Sequence, residues 1–193
     1  LSAGAVLAVI GLIVAFRLPI RNGPADPVLR WTMAGLLLAN EAGLSLWKAG
    51  HGAWKIQDSL PLHLCGVSVL LAAVMLPLKS YALFELTYFW AVGGALQGLV
   101  TPDTEGYDFP HWRFLKTFIS HGLIVVANVY MIAVLGMRPT WLSLAKSLVV
   151  LNAWAVLALL FNRLTGANYG FLCRKPEQAT LYDILGPWPW YLL

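Results

Sequence analysis

"DSLPLHLCGVSVLLAAVMLPLKS", residues 58–80, is an apolar run opened by one proline and closed by another. From 61 to 78 it carries almost no polar residue and none of the apolar–polar alternation of a barrel strand. Inside lipid only helices and closed barrels satisfy their own backbone groups, so the run reads as a helix. A helix of about 20 mostly apolar residues crosses a bilayer, which makes 61–78 a membrane span.

The same reading extends outward to 1–16, 28–47, 81–100, 114–137 and 140–161. Together these give an all-α polytopic transmembrane bundle, a single domain over 1–193, with six spans visible. The chain begins inside an apolar run and ends at "GPWPWYLL", the apparent entrance to a truncated seventh span, so further residues are expected at both ends. Composition agrees: 59% of the residues are hydrophobic and only 11% charged, with a mean hydropathy of +0.70. Soluble domains carry about 25% charged residues. The 9 Trp and 7 Tyr suit two membrane–water interfaces.

The net charge of +4 is spread one or two residues per loop, without the stripe that marks a nucleic-acid footprint. Membrane lipids, not nucleic acids, are the expected partners; nothing in the sequence sets an oligomeric state. No cofactor is expected.

Tight Pro/Gly turns, "RLPIRNGPADP" (17–27), "PLKS" (77–80) and "GMRPT" (136–140), fall on one membrane face, called face A. The longer connections 48–60, 101–113 and 162–190 fall on the other, face B. Lys and Arg divide almost evenly. Acids gather on face B (Asp58, Asp103, Glu105, Asp108, Glu177, Asp183), against Asp26 on face A, and face A is read as cytoplasmic.

Polar groups inside spans are costly and mark cavities or helix contacts. Glu41, His63, Cys65, Gln97, the "TPD" ending in Asp103, His121, Asn168 and Tyr169 come from separate elements, yet all fall near face B. At a rise of about 1.5 Å per residue they share a layer roughly 10 Å deep. A polar pocket opening on face B is expected, with His111 at its edge. Glu85 reads as a solvated helix end on face A. Asn128 reads as a helix-bridging amide, and the glycines of 93–98 as allowing close packing.

If "PLHLC" is helical, with Pro61 at the first position and Asp58 or Ser59 as cap, His63 and Cys65 point about 200° apart. His63 then cannot serve as base for the thiol, and His121, from another helix at similar depth, is the better partner. A Cys paired with a distant His is the arrangement of nucleophilic acyl transfer. Cys65 also reads as a small apolar filler. A metal site from Glu41, His51, His63, Cys65, His111, His121 and Cys173 has no recognisable ligand spacing, so none is expected.

The motifs "LPLHLC" (60–65), "ELTYFWAVGGALQGLVTPD" (85–103), "FPHWRFLKTFISHG" (109–122) and "NYGFLCRKPEQATLYDILGPWPWY" (168–191) resemble the YwaF-type bacterial integral membrane proteins, over residues 40–193. That resemblance implies about seven spans and a multi-pass protein of the bacterial cytoplasmic membrane. More distantly the pattern is similar to eukaryotic transmembrane transacylases that move fatty acyl groups between glycerophospholipids to build ether lipids. By that resemblance Cys65 is implied as nucleophile and His121 as base. The relative has its His immediately after the thiol, whereas His63 here precedes Cys65 by two. The expected function is an integral membrane lipid acyltransferase or transacylase, with Glu41, His63, Gln97, Asp103, His111, Asn168 and Tyr169 supporting or binding substrate. The alternative is a membrane binding protein or transporter for a small polar solute.

Overall fold

The structure is a computed structural model that describes residues 2–102, 104, 106–176 and 183–192. Asp103, Glu105 and Glu177 lie outside the described residues. Among the described residues there is no strand. The helices are α1 (Ser2–Ala15), α2 (Arg17–Asn22), α3 (Ala25–Gly50), α4 (Leu64–Leu78), α5 (Tyr81–Trp90), α6 (Leu96–Val100), α7 (Trp112–Ala133) and α8 (Trp141–Thr165). A π-helical turn, Ala91–Ala95, joins α5 to α6 in one continuous rod.

Among the described residues three helices are long and apolar enough to cross a membrane: Tyr81–Val100, Trp112–Ala133 and Trp141–Thr165. Gly4–Ala15 and Leu64–Leu78 are apolar but shorter. The six-span count therefore exceeds what length and apolarity alone provide. α4 falls short because residues 58–63, which the sequence placed partly in the helix, turn back on it instead.

α7 packs on α1, α3, α4, α5 and α6, and α3 and α4 pack on each other. Leu37, Met75, Leu76, Phe84, Ile124, Tyr130 and Met131 are fully buried where these helices meet. In lipid such packing is held by close contact and interhelical hydrogen bonds rather than by expulsion of water. Asn128 fits its reading as a bridge, since its Oδ1 accepts from Thr87 Oγ1 at 3.0 Å and so ties α7 to α5. α8 leans on α5 and turns an apolar face outward, with Val149 and Leu164 70% and 86% exposed.

Face A is held by two buried ionic clusters. Arg30 donates to both carboxylate oxygens of Asp26 at 3.0 Å. It also donates to the carbonyls of Leu76 and Pro77, at 3.0 and 2.9 Å, acceptors that have no intrahelical donor at the end of α4. Lys79 reaches Asp26 at 2.9 Å and Tyr130 OH donates to it at 2.8 Å, so one carboxylate joins α3, α4 and α7. Burial would raise the Asp26 pKa, but Arg30, Lys79 and Tyr130 hold it well below the usual carboxylate range. Lys79 has φ of 50°, a left-handed conformation costing a side-chain-bearing residue about 1–2 kcal/mol, and its ion pair offsets that. Glu85 is the second cluster's centre. It is buried, not solvated: Ser143 Oγ donates to it at 2.7 Å and Lys146 lies at 2.9 Å, both from α8.

Lys55 and Lys175 line one cavity at face B. With Cys65 and Cys173 replaced by serine, single cysteines at these two positions are expected to react with a membrane-impermeant maleimide from the same side of sealed vesicles. Labelling from opposite sides would dismantle this arrangement.

Candidate functional site

The segment before α4 sets the site. Asp58 is occupied by Lys48, whose ammonium lies 3.1 Å from its carboxylate. Ser59 Oγ accepts the Lys55 backbone N–H at 3.0 Å and donates to Asp58 at 2.7 Å. Burial would raise the Asp58 pKa, but the Ser59 and Lys48 bonds hold it below its ordinary value. With both candidate caps spent on this turn, Pro61 is not the first helical residue. It folds back instead, and a methyl on Gly66 would come within 2.9 Å of its backbone. Glycine is what allows that approach.

α4 therefore starts at Leu64, with His63 as an extended N-cap (φ −63°, ψ 149°). The helical-wheel argument separating His63 from Cys65 does not apply, because His63 is not helical. His63 instead meets the 168–171 loop: its ring packs on those of Tyr169 and Phe171, centroids 5.1 Å apart in each case, and its Nδ1 accepts from Gly170 N at 3.4 Å. It fastens the 168–171 loop over the mouth of α4.

Cys65 consequently sits in the first turn of α4, not beyond it. The first turn of a helix is where its unpaired backbone N–H groups and the positive end of its dipole lie. His121, from α7, places Nε2 3.1 Å from Cys65 Sγ. Its Nδ1 lies 2.7 Å from the carbonyl of Thr117, one turn earlier. A carbonyl accepts only, so Nδ1 carries the proton and Nε2 of the neutral ring presents its lone pair to the thiol. The ring is thus fastened at both nitrogens in the tautomer that can take a proton from sulfur.

The pair lines a cavity of about 1420 Å³, shared with Glu41, His63, Gln97 and Asn168. Glu41 is inside the bundle, with Lys116 Nζ 3.0 Å from Oε2. No hydrogen bond is aligned on that buried oxygen, so the contact is an ion pair only. Gln97 lies on α6 next to Gly98, which abuts the His121 ring.

Other sequence candidates serve structure. Asn168 Nδ2 donates to Arg174 O at 2.9 Å, and its Oδ1 accepts from Cys173 N and Arg174 N at 3.0 and 3.2 Å. Both ends of the amide thus bond the loop itself. Tyr169 is fully buried, and burial raises its phenol pKa. Its OH donates to Ile56 O at 2.7 Å and accepts from Leu60 N at 3.0 Å, while Asn162 pairs with its backbone N–H and C=O. His111 caps α7, its Nδ1 accepting from Arg113 N at 3.2 Å, and stacks on Tyr107 at 4.4 Å. Among the described residues no three His, Cys, Asp or Glu side chains converge as a metal site would require.

Sequence reasoning missed Thr117, Arg113, Lys116 and Gly98. Arg113 lines the cavity with its guanidinium 4.6 Å from the Tyr107 ring centroid and 5.3 Å from that of Trp47. The available signal was position: Arg113, Thr117 and His121 follow one another every four residues on one helix, where i, i+4 neighbours share a face, with Lys116 beside them.

Over its whole length, residues 1–193, the sequence matches the family model described as the TMEM164 family. The chain belongs to the TMEM164 family. No curated protein and no solved structure shows significant similarity to it. As a TMEM164-family chain with three helices able to cross a bilayer, it is a membrane-embedded protein in contact with lipid. The quoted motifs at 60–65, 85–103, 109–122 and 168–191 all fall within the TMEM164 match, and two of them bring Cys65 and His121 together.

Proposed function

We propose that this TMEM164-family protein is a membrane lipid acyltransferase of the transacylase type, working on glycerophospholipid esters. The observation that carries the reading is the 3.1 Å approach of Cys65 Sγ to His121 Nε2 in a cavity at the face-B end of the bundle. A six-span arrangement, with the shorter α1 and α4 and the more polar α3 also crossing, is part of the proposal. So is the kinship with YwaF-type and ether-lipid transacylase proteins.

In the first half-reaction His121 Nε2 takes the thiol proton and the Cys65 thiolate attacks the ester carbonyl. The tetrahedral intermediate collapses with cleavage of the C–O bond, and His121 returns the proton to the departing lysolipid oxygen. Cys65 then holds the acyl group as a thioester. In the second, His121 takes the proton of an acceptor hydroxyl, whose oxygen attacks the thioester. The C–S bond breaks and the thiolate is reprotonated. The Gln97 amide, on the cavity wall, supplies a donor type suited to the developing oxyanion.

Depth favours this chemistry over handling of a small polar solute. A glycerolipid ester lies just below the headgroups, and Cys65 lies in the first turn of α4, at the end that this reading sets at the face-B headgroups. Transporters place their broken helices at the midplane. The π turn at 91–95 is the nearest thing to one, and it keeps a continuous rod.

The test is direct detection of the thioester. Protein in nanodiscs of diacyl glycerophospholipid, quenched in acid and digested, is expected to carry one acyl chain on the Cys65 peptide, removable by neutral hydroxylamine. Saturable lipid or solute binding with no adduct at Cys65 would replace this reading with the binding-protein one.

A further inference from the structure

We propose that Gly98, aimed by the π turn that precedes it, is the positioning residue for the His121 imidazole. The inference rests on the Cys65–His121 reading and assigns the feature that seats the base. A Cβ built at Gly98 would overlap both Cδ2 and Nε2 of His121 and come within 3.2 Å of Cε1. The ring therefore lies flat against the backbone of α6, in space that exists because residue 98 has no side chain.

Ordinarily the tip of a side chain swings away from such an intruder at little cost. Here it cannot move without consequence. Nδ1 is held by Thr117 O at 2.7 Å and Nε2 by Cys65 Sγ at 3.1 Å, so any rotation that clears a methyl breaks one bond or the other. Nε2, the atom that meets the thiol, is also one of the two that the methyl would strike.

The π turn explains how residue 98 comes to face His121. A π turn closes i→i+5 bonds and inserts one residue into an otherwise α-helical rod. Because an α-helix turns about 100° per residue, that insertion rotates everything after it by the same angle. Without the turn at Ala91–Ala95, the strip of α6 facing α7 would present a neighbour of Gly98, Gln97 or Leu99, and a side chain would occupy the imidazole's space. Both neighbours are larger than the gap permits. The Gly-Gly of 93–94 lies within the π turn, where the sequence suggested only close packing.

The experiment reads the thiol rather than the acyl product. On a Cys173→Ser background, Cys65 is alkylated with iodoacetamide in nanodiscs across pH 5.5–9.5, comparing Gly98, Gly98→Ala, His121→Ala and Gly35→Ala proteins. Gly35 is a helix-interior glycine with open space around it, so its methyl tests helix propensity alone. In the parent, alkylation is expected to persist to low pH through the imidazole-supported thiolate, as macroscopic steps of a coupled pair. His121→Ala is expected to titrate as a simple thiol, reacting at least roughly tenfold more slowly near pH 6. Gly98→Ala should follow the His121→Ala profile, and Gly35→Ala the parent. A parent-like profile for Gly98→Ala alongside a shifted one for His121→Ala would overturn the role of Gly98 and leave the pair standing. An unshifted profile for His121→Ala would overturn the pair itself and Gly98 with it. Thermal stability supplies the second readout: the methyl is expected to lower the melting temperature when His121 is present and not in the His121→Ala background. If Gly98→Ala fails to fold, recovery of folding in the double variant supports the clash, and its failure there too overturns the proposal.

Discussion

Replacing Cys65 with alanine, or His121 with alanine, is expected to lower acyl transfer by roughly 10³-fold or more while leaving the protein folded and inserted. Neither side chain belongs to the fully buried core, and each loses only its bond to the other or to a local carbonyl. The Cys65→Ala/His121→Ala protein should be no slower than either single variant, because a nucleophile without its base and a base without its nucleophile are equally idle. His63→Ala is expected to act differently. It loosens the loop over the cavity, and its effect should appear in KM for lipid before kcat. The measurement is transfer of a labelled acyl chain from diacyl donor to lysolipid acceptor in nanodiscs. If the two single losses instead multiply in the double variant, the residues act separately and the shared proton transfer fails.

The largest effect on stability is expected far from the chemistry. Arg30→Met removes the side chain that ties Asp26 to the Leu76 and Pro77 carbonyls at the end of α4. Breaking one partner of a buried pair costs about 3–5 kcal/mol. Lys79 and Tyr130 still face Asp26, which argues for the lower end of that range. Adding Asp26→Asn should recover part of the loss, since the stranded carboxylate is then gone. Equilibrium unfolding in mixed SDS and bicelles reads both numbers. An Arg30→Met protein as stable as the parent would mean that face A is held by packing alone.

Helix positions were legible because an apolar run in lipid admits one backbone solution; the boundaries read for 81–100 match the helix rod itself. The approach of Cys65 and His121 was legible for a related reason: helix rise converts sequence distance from a loop into depth. What escaped the reading depends on partners distant in sequence. Asp58 and Ser59 are the exception, good cap residues that a turn closed on Lys48 and Lys55, ten and four positions earlier, has already engaged. His63 was consequently placed in a helix it only precedes. Glu85 near a helix end looks solvated until Ser143 and Lys146 arrive from 58 and 61 residues away. The π turn left no trace, because Val-Gly-Gly-Ala is as compatible with tight helix packing as with an inserted residue.

The ionic clusters at face A and the cavity at face B divide the labour of single helices along their length. α4 shows it best. Its first turn carries Cys65 and the close approach of Gly66 to Pro61, while its last supplies the carbonyls that Arg30 holds and the Lys79 ammonium. On the proposed reading, assembly is written into one end of the bundle and chemistry into the other. If the transacylase reading holds, substitutions around Leu64 are expected to retune which lipid is accepted without disturbing how the bundle is built, and changes around Met75 to harden the bundle without touching the thiol. A transacylase built this way can drift in substrate while its scaffold stays put.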